Sequence, residues 1–427
     1  MTSCSVAGPD PEAPGPGAET AQLRLLESDG VAEPIRLALA TFGRRPVSWS
    51  VVQVHHRPGA GATGIYQVQV DAENGDQSTE FLCISTVNLP ESTPATVQRR
   101  SADGTILTVW QHPNDPLLPG LPWACDAFQV GQALFTDSQR ADPADNAAPV
   151  LATVSYRPLR RAVITADFRG ERRYLKVLRG GQGAHLAERH RLLTDAGIPA
   201  PVLIDVPAQD VLAMHPAAGT PLAEQLMRDG AQALDPRTLV DLLQRLPAES
   251  MLLPEHQAWA VRVWDYAKGA AAALPEEKQR ISALAEKVYR VVSSVDAGPR
   301  VPSHGDFYEA NLLVAGDQVS GLLDVDALGP GHLVDDLACF IGHLAVLPAL
   351  DSRYVHVPAA LHRFLSVFDH QVHPAALRGR AAGVALTLVA GAKHRATAED
   401  RTSWRSDALQ RLAIAENLVE EAEALDS

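Results

Sequence analysis

The side chains best suited to chemistry lie in one short polar segment, Ser303–Asp326. The segment contains Asp306, Asn311 five residues later, and a further carboxylate at Asp324. Transfer of a phosphoryl group needs a carboxylate that accepts or orients the proton of the acceptor hydroxyl. It also needs oxygen ligands for a metal ion that bridges the phosphates. Asp306 suits the first role and Asn311 the second.

The residues after Asn311 predict a β-hairpin that returns a second carboxylate to the same place. An apolar strand, the turn Gly316-Asp317 and a second apolar strand lead to Asp324. Two protein oxygen ligands, with phosphates and water completing the shell, are usual for Mg²⁺. We therefore predict Asn311 and Asp324 as magnesium ligands, with His304 supporting the loop. A solvated acidic loop would not explain the apolar strands.

A nucleotide would need a cation, and Lys176 lies within the apolar strand pattern RRYLKVL. A lysine in such a strand is costly unless it is paired, and Glu188 in the next predicted helix can supply the partner. The alternative is a lysine whose head reaches solvent at a strand edge. Met214 and Pro216 lie where the chain leaves the last strand of this lobe, and their backbone is a candidate for contacting adenine. Met214 is equally compatible with ordinary core packing.

Three motifs, HGDFYEANLL, LLDVD and VDDLA, resemble the aminoglycoside phosphotransferase and choline kinase family, which has a protein-kinase-like fold. The resemblance extends from about residue 151 to the C-terminus. It implies Asp306 as the catalytic base, Asn311 and Asp324 as Mg²⁺ ligands, Lys176 paired with Glu188, and Asp336 as a brace of the catalytic loop. From the residues alone, Asp336 also suits an N-terminal helix cap.

The chain departs from the family pattern at two places. No glycine-rich loop precedes Lys176, and the segment RPLRRA stands where a turn covering the phosphates is expected. Arg160 and Arg161 in this segment suit either phosphate contacts or the surface. The N-terminal extension, about 110 residues long, resembles the caps of maltokinase-like sugar kinases.

The elements that must position these residues form an α+β arrangement. Strand patterns dominate the chain up to about residue 219, and helical patterns with one inserted hairpin dominate the rest. We predict a bilobal, protein-kinase-like fold with a small β-rich N-lobe, a large helical C-lobe and an extra β-rich cap. The predicted limits are a disordered tail, a cap, an N-lobe and a C-lobe over residues 1–19, 20–120, 121–219 and 220–427.

A faint internal repeat is visible in the two strand-rich stretches. Segments beginning at His56 and Tyr156 share an entry of the form [H/Y]RP, a strand, a turn and a second strand of the form [F/Y]-L-x-[I/V]. The stretch from His56 has Cys83 where the other has Lys176. Two interpretations stay open: a degenerate copy of the nucleotide lobe that serves as a cap, or a chance likeness of two hairpins.

Composition excludes several classes of protein. Of 427 residues 46% are hydrophobic, the formal net charge is −14 and the pI is about 5.5, which argues against a nucleic-acid binder. The four cysteines form no CxxC pair, so neither a zinc site nor a disulfide framework is indicated. The N-terminus lacks the pattern of a signal peptide, and no apolar run reaches transmembrane length. We expect a cytoplasmic protein without a membrane or nucleic-acid partner, and the sequence leaves its oligomeric state open.

These observations together predict an ATP- and Mg²⁺-dependent phosphotransferase with a small-molecule hydroxyl acceptor. A sugar, an amino sugar or an aminocyclitol is favoured because carboxylates crowd the loop. Glu309 and Asp326 are candidates for contacting the acceptor, and Asp326 is equally a candidate for a second metal. A glutamate run in the last predicted helix suits either a cationic acceptor or a solvated face. The alternatives are a kinase for a non-sugar metabolite or antibiotic, and a non-catalytic nucleotide-binding protein.

Overall fold

The computed structural model describes residues 16–57, 61–72, 77–89, 97–100, 105–135, 148–394 and 403–426. The chain divides into two compact units, Met1–Ala184 with Ile204–Met214, and His185–Leu203 with His215–Ser427. A helix already begins at Pro16, within the predicted tail, and residues 1–15 lie outside the described residues. The predicted limits of cap, N-lobe and C-lobe stay predictions.

The first unit opens with two helices and an antiparallel five-stranded sheet of order β1-β2-β3-β5-β4. Alternate side chains of its central strands, such as Leu82 and Ile84, pack against Ile35 and Leu39 of the second helix, as the two-residue period of a strand requires. The elements are α1 (Pro16–Leu26), α2 (Ala32–Ala40), β1 (Arg44–Arg57), β2 (Gly61–Ala72), β3 (Gln77–Ser85), β4 (Val97–Arg100) and β5 (Ile106–Gln111).

A second sheet of five strands follows in the order β6-β7-β8-β10-β9. Leu175 and Val177 of β8 pack against the two short helices that precede it in the chain. The turn between β7 and β8 has Arg169 and Gly170 at positive φ (50° and 84°), as a tight hairpin with right-handed twist requires. The elements are α3 (Leu121–Ala124), α4 (Ala127–Leu134), β6 (Val150–Arg157), β7 (Arg161–Phe168), β8 (Glu171–Leu178), α5 (Gly183–Asp195), β9 (Leu203–Ile204) and β10 (Val211–Met214).

The two sheets share their strand order, and each follows a pair of helices that covers one of its faces. In β3, Cys83 lies between two residues packed on the helices, as Lys176 does in β8. This shared arrangement supports a repeated unit over a chance likeness of hairpins.

The second unit is mainly helical, as predicted. At its centre α12 is buried along nearly its whole length and contacts α9, α10 and α14. Two arginines on this helix are neutralised by carboxylates: Arg378 pairs with Asp369 at 2.6 Å, and Arg380 pairs with Asp335 at 2.6 Å. Besides most of α5, the helices are α6 (Leu222–Asp229), α7 (Pro236–Gln244), α8 (Val263–Ala273), α9 (Lys278–Ser294), α10 (Leu333–Leu350), α11 (Val357–Phe368), α12 (Pro374–Thr387), α13 (Gly391–His394) and α14 (Ser403–Asp426).

Two small antiparallel sheets hold the polar segment. One pairs β12 with β15, and the other has the order β11-β13-β14 and contains the predicted hairpin with its turn at Gly316-Asp317. Their strands are β11 (Thr220–Pro221), β12 (Arg300–Ser303), β13 (Leu312–Ala315), β14 (Gln318–Leu322) and β15 (Gly329–His332).

The helix after these strands, α10, is long and apolar enough to span a membrane by length and composition, although the sequence analysis found no run of that length. Within the unit, 67% of this 18-residue segment is buried, and Phe340 packs against Phe364 and Phe368. Core packing therefore accounts for its hydrophobic character.

Candidate active site

The loop after β12 is held by a carboxylate from the first turn of α10. The backbone N–H groups of His304 and Gly305 donate to the two side-chain oxygens of Asp336, each at 2.8 Å. Asp336 is only 1% exposed, and its burial raises the pKa to about 7 although the two hydrogen bonds oppose the shift. The helix itself begins after His332 with no side-chain cap, so Asp336 braces the loop instead of capping the helix.

His304 links this loop to the neighbouring hairpin. Its Nδ1 accepts from the backbone N–H of Asp306 at 3.3 Å, which leaves Nε2 to donate to the carbonyl of Leu323 at 3.0 Å. These bonds require the neutral ring, and complete burial lowers the pKa of His304 to about 4. The predicted supporting role of His304 thus has a geometric basis: the ring spans the two segments that carry Asp306 and Asp324.

Gly305 permits the sharp turn between His304 and Asp306. Its φ is +80°, and a Cβ at this position would lie 2.8 Å from the Cβ of Ala327 and 2.9 Å from its carbonyl oxygen. Any side chain here would therefore be strained and would also collide with backbone.

The hairpin brings the two predicted metal ligands to neighbouring positions. Asn311 donates its side-chain N–H to the carbonyl of Asp306 at 2.9 Å, and its backbone carbonyl accepts from Leu323 N at 2.8 Å. Because the amide nitrogen faces Asp306, the amide oxygen points to the other side. Asp324 follows Leu323 directly and has φ +52°, a left-handed conformation that is unusual for a residue other than glycine.

Three carboxylates act on one phenol in this region. Burial raises the pKa of Tyr308, and Asp306, Glu309 and Asp324 raise it further. Negative charge is therefore concentrated around Tyr308, whose ring stacks on His343 with a centroid distance of 4.1 Å. Such an arrangement favours a bound cation.

The oxygen ligands available here suit a metal ion that takes only part of its coordination shell from the protein. Among the residues that the structure describes, no group of three His, Cys, Asp or Glu side chains is placed to hold a metal ion. Asn311 and Asp324 would supply two oxygen ligands, with the remaining positions open to phosphate and water, as in many Mg²⁺ sites.

The predicted acceptor residues differ in their surroundings. Glu309 is buried, with 4% exposure, whereas Asp326 is partly exposed and acts electrostatically on Arg189. The guanidinium of Arg189 is itself buried and donates to the carbonyl of Leu328 at 3.2 Å. Asp326 therefore has a cation of the protein itself nearby, which weakens the case for its contacting a cationic acceptor.

The glutamate run of α14 forms ion pairs with neighbouring helices. Glu416 binds Arg280 at 2.6 Å, Glu423 binds Lys287 at 3.2 Å, and Glu421 binds Arg378 at 3.2 Å. These contacts give the run a structural role.

The predicted nucleotide residues are distributed over the two units. Lys176, on β8, is partly buried, and Met214 is the last residue of β10. In the other unit Glu188 accepts from Arg191 at 3.2 Å and Pro216 is exposed. The chain passes between the units at residues 184–185, 203–204 and 214–215. The pairing of Lys176 with Glu188 stays a prediction.

Sequence reasoning missed Tyr308, His343 and Arg189 as members of this site. Tyr308 had a signal, since it lies two residues after Asp306 inside the polar loop. His343 and Arg189 come from helices far away in the chain, and no local pattern marks them.

Comparison with protein families gives one match: residues 159–368, 210 of the 427, match the model of the phosphotransferase enzyme family. This match confirms the predicted resemblance and the α+β, protein-kinase-like fold. A search of curated protein sequences gave no match.

Similar solved structures include three kinases. An aminoglycoside-3'-phosphotransferase of type VIII is 21% identical, with a TM-score of 0.40 over 56% of this chain and 93% of that one. A spectinomycin phosphotransferase in complex with ADP and spectinomycin is 14% identical, with a TM-score of 0.42 over 65% and 93%. A choline kinase from Cryptosporidium parvum is 12% identical, with a TM-score of 0.42 over 64% and 89%. TM-scores of this size say nothing about the substrate of this chain.

Proposed function

We propose that this chain, of which residues 159–368 match the model of the phosphotransferase enzyme family, transfers the γ-phosphoryl group of ATP to a hydroxyl group of a small molecule. The observation that carries the proposal is the catalytic loop. In it Asp306 stands between a neutral His304 and the amide of Asn311, on a backbone held by Asp336.

Asp306 is proposed as the catalytic base. Its backbone N–H is bound by His304 and its carbonyl by Asn311, so the main chain on both sides of its side chain is fixed. A carboxylate held in this way can accept the proton of an acceptor hydroxyl as that oxygen attacks phosphorus. Positioning of this kind is the main contribution a protein makes to phosphoryl transfer.

Asn311 and Asp324 are proposed to hold Mg²⁺. When bound, the ion would neutralise charge on the nucleotide phosphates. The geometry of the hairpin supports this assignment, since the backbone bond between Leu323 and Asn311 sets the two ligands side by side. The negative charge around Tyr308 supports it as well, because that charge is unfavourable without a cation.

Lys176 is proposed to contact the nucleotide phosphates, with Glu188 as its partner, and the backbone at Met214 and Pro216 to contact the base. Support comes from the place of Lys176 in the chain. Lys176 lies within β8, where its neighbours Leu175 and Val177 point into the core. The face of the sheet that bears Lys176 is therefore the one available to a ligand.

The acceptor is proposed to be a sugar, an amino sugar or an aminocyclitol. Asp306 and Glu309 carry negative charge close to Tyr308, and such a site favours an acceptor with a cationic or hydroxyl-rich face. The described cysteines Cys83, Cys125 and Cys339 are free thiols, which suits the reducing cytoplasm where we propose that the enzyme acts.

The test is an ADP-release assay with Mg²⁺ and a panel of sugars, amino sugars and aminocyclitols, run on the wild type and on Asp306→Asn. At least one acceptor should raise ADP release above the rate with ATP alone. Loss of the base should lower kcat by about 10²–10⁴-fold.

Asp317→Asn is the matched control, since Asp317 lies in the exposed turn of the same hairpin. It should keep the wild-type rate. The proposal is wrong if no acceptor stimulates ADP release, or if Asp306→Asn turns over as fast as Asp317→Asn.

A further inference from the structure

The turn between β6 and β7, residues 157–160, lies at a basic end of the second sheet. Arg157 and Arg160 are exposed in the turn, and Arg161 follows at the start of β7. In the register of the sheet, Val163 pairs with Lys176. Arg161 is therefore only two residues, or about 7 Å along the strand, from the level of Lys176. Cations thus gather at this end of the sheet, as an anionic ligand would require.

The turn has an unfavourable backbone conformation that its surroundings must maintain. Leu159 has φ +63°, a left-handed conformation that residues other than glycine rarely adopt. Both of its backbone polar groups are bound: its N–H donates to Asp115 Oδ2 at 2.7 Å, and its carbonyl accepts from Arg179 Nε at 2.5 Å. The turn is therefore fixed from two sides.

Asp115, the acceptor for Leu159, is at the centre of a buried network. It is 4% exposed, and its carboxylate also accepts from Tyr156 Oη at 2.8 Å and from the N–H of Leu117 at 2.9 Å. The hydroxyl of Tyr156 in turn accepts from Trp110 Nε1 at 3.2 Å. Each polar atom of the chain from Trp110 through Tyr156 to Asp115 has a partner, and such complete networks hold one geometry.

Packing ties the turn to the first sheet as well. The side chain of Leu159 is buried in a cluster with Ile65, Cys83, Leu89 and Trp110, all from strands of the first sheet or from the connection between β3 and β4. The same cluster contacts Tyr156. The turn of the second sheet therefore packs against the first sheet.

From these contacts we propose that Asp115 and Tyr156 are positioning residues for the nucleotide. They hold the 157–160 turn in the conformation in which its backbone and arginines meet the phosphates. This inference rests on the proposed function. It gives the N-terminal sheet a role in the reaction, since a turn without a glycine-rich sequence depends on an outside support to keep its shape.

The experiment compares two variants of the network with a control variant in the same unit. Tyr156→Phe removes the hydroxyl that binds Asp115, and Asp115→Asn removes the charge that holds Leu159. Tyr66→Phe is the control, because it removes a buried hydroxyl that donates to the carbonyl of Leu26 at 2.7 Å, away from the turn. Measurements are the Kd for ATP with Mg²⁺, the KM and kcat of turnover, and hydrogen exchange of the Leu159 amide.

We expect Asp115→Asn and Tyr156→Phe to raise the Kd and KM for ATP at least fivefold. The kcat at saturating ATP should stay within about twofold. Exchange of the Leu159 amide should quicken at least tenfold, and Tyr66→Phe should match the wild type in all these measurements.

The inference is overturned if both variants bind ATP as the wild type does, or if Tyr66→Phe weakens binding equally, since the effect would then be one of general stability. If the wild type itself does not bind ATP, the proposed function fails and this inference fails with it. Wild-type binding with unaffected variants rejects this inference alone.

Discussion

Replacing Asp336 by Asn tests whether burial, and not the hydrogen bonds of the loop, dominates the ionisation of this carboxyl group. Asp336 is almost fully buried and has a pKa of about 7. The folded protein therefore retains this proton up to about pH 7, whereas the unfolded chain releases it near the ordinary value of 3.8. Stability from this group is fully present below pH 3.8 and is lost as the pH rises through 7.

The size of the change in unfolding free energy follows from the pH range between the unfolded and folded pKa values of Asp336. Each pH unit between the two pKa values is worth about 1.4 kcal/mol, so the wild type should lose about 2–3 kcal/mol of unfolding free energy from this group between pH 5 and 8. Asp336→Asn has no proton to release and lacks this loss. The unfolding free energy of the wild type relative to the variant should therefore fall by that amount over the same range.

The assay is denaturant unfolding of both proteins at pH 5, 6, 7 and 8. Asp126→Asn serves as the control: Asp126 caps α4 from an exposed position, its pKa is lowered by its bonds to Gln129, and Asn caps helices equally well. Its difference from the wild type should not fall with rising pH. A constant or increasing difference for Asp336→Asn would mean that the carboxylate is ionised throughout, and the argument from burial would be refuted.

Two further predictions concern the same loop and hairpin. Asp324→Asn should raise the Mg²⁺ concentration needed for half-maximal turnover at least tenfold, because an anionic ligand is lost; an unchanged Mg²⁺ requirement would remove Asp324 from the metal site. Gly305→Ala should lower the unfolding free energy by about 1–3 kcal/mol more than Gly316→Ala in denaturant titrations. Both glycines have positive φ but only Gly305 has a neighbour, Ala327, in the way of a new methyl group, so equal losses would show that the close contact is relieved without cost.

Local signals were enough to predict the hairpin that brings Asn311 and Asp324 to neighbouring positions. The turn residues Gly316 and Asp317 between two apolar runs specify the hairpin, and the spacing of Asp306 and Asn311 specifies the loop. These features depend on residues that are close in sequence, so their geometry follows from turn chemistry and strand pairing.

The rest of the site depends on long-range contacts that no local pattern records. The sequence makes Asp326 a candidate for contacting the acceptor or a second metal. Only the fold brings Arg189 near this carboxylate. The ion pair between Asp335 and Arg380 of α12 is likewise a contact that no local pattern indicates. A helix buried on all sides has no polar face, so its sequence gives no periodic signal of which neighbours it will meet.

The placement of β10 has a consequence for how the chain can be divided. This strand lies between β8 and β9 and pairs with β8 from Tyr174 to Val177, yet it is made only after α5. The sheet that contains Lys176 can therefore be completed only after residue 214 has been synthesised. A fragment that ends before that residue would present the open edge of β8 to other chains, so proteolysis in the 196–210 stretch should promote aggregation.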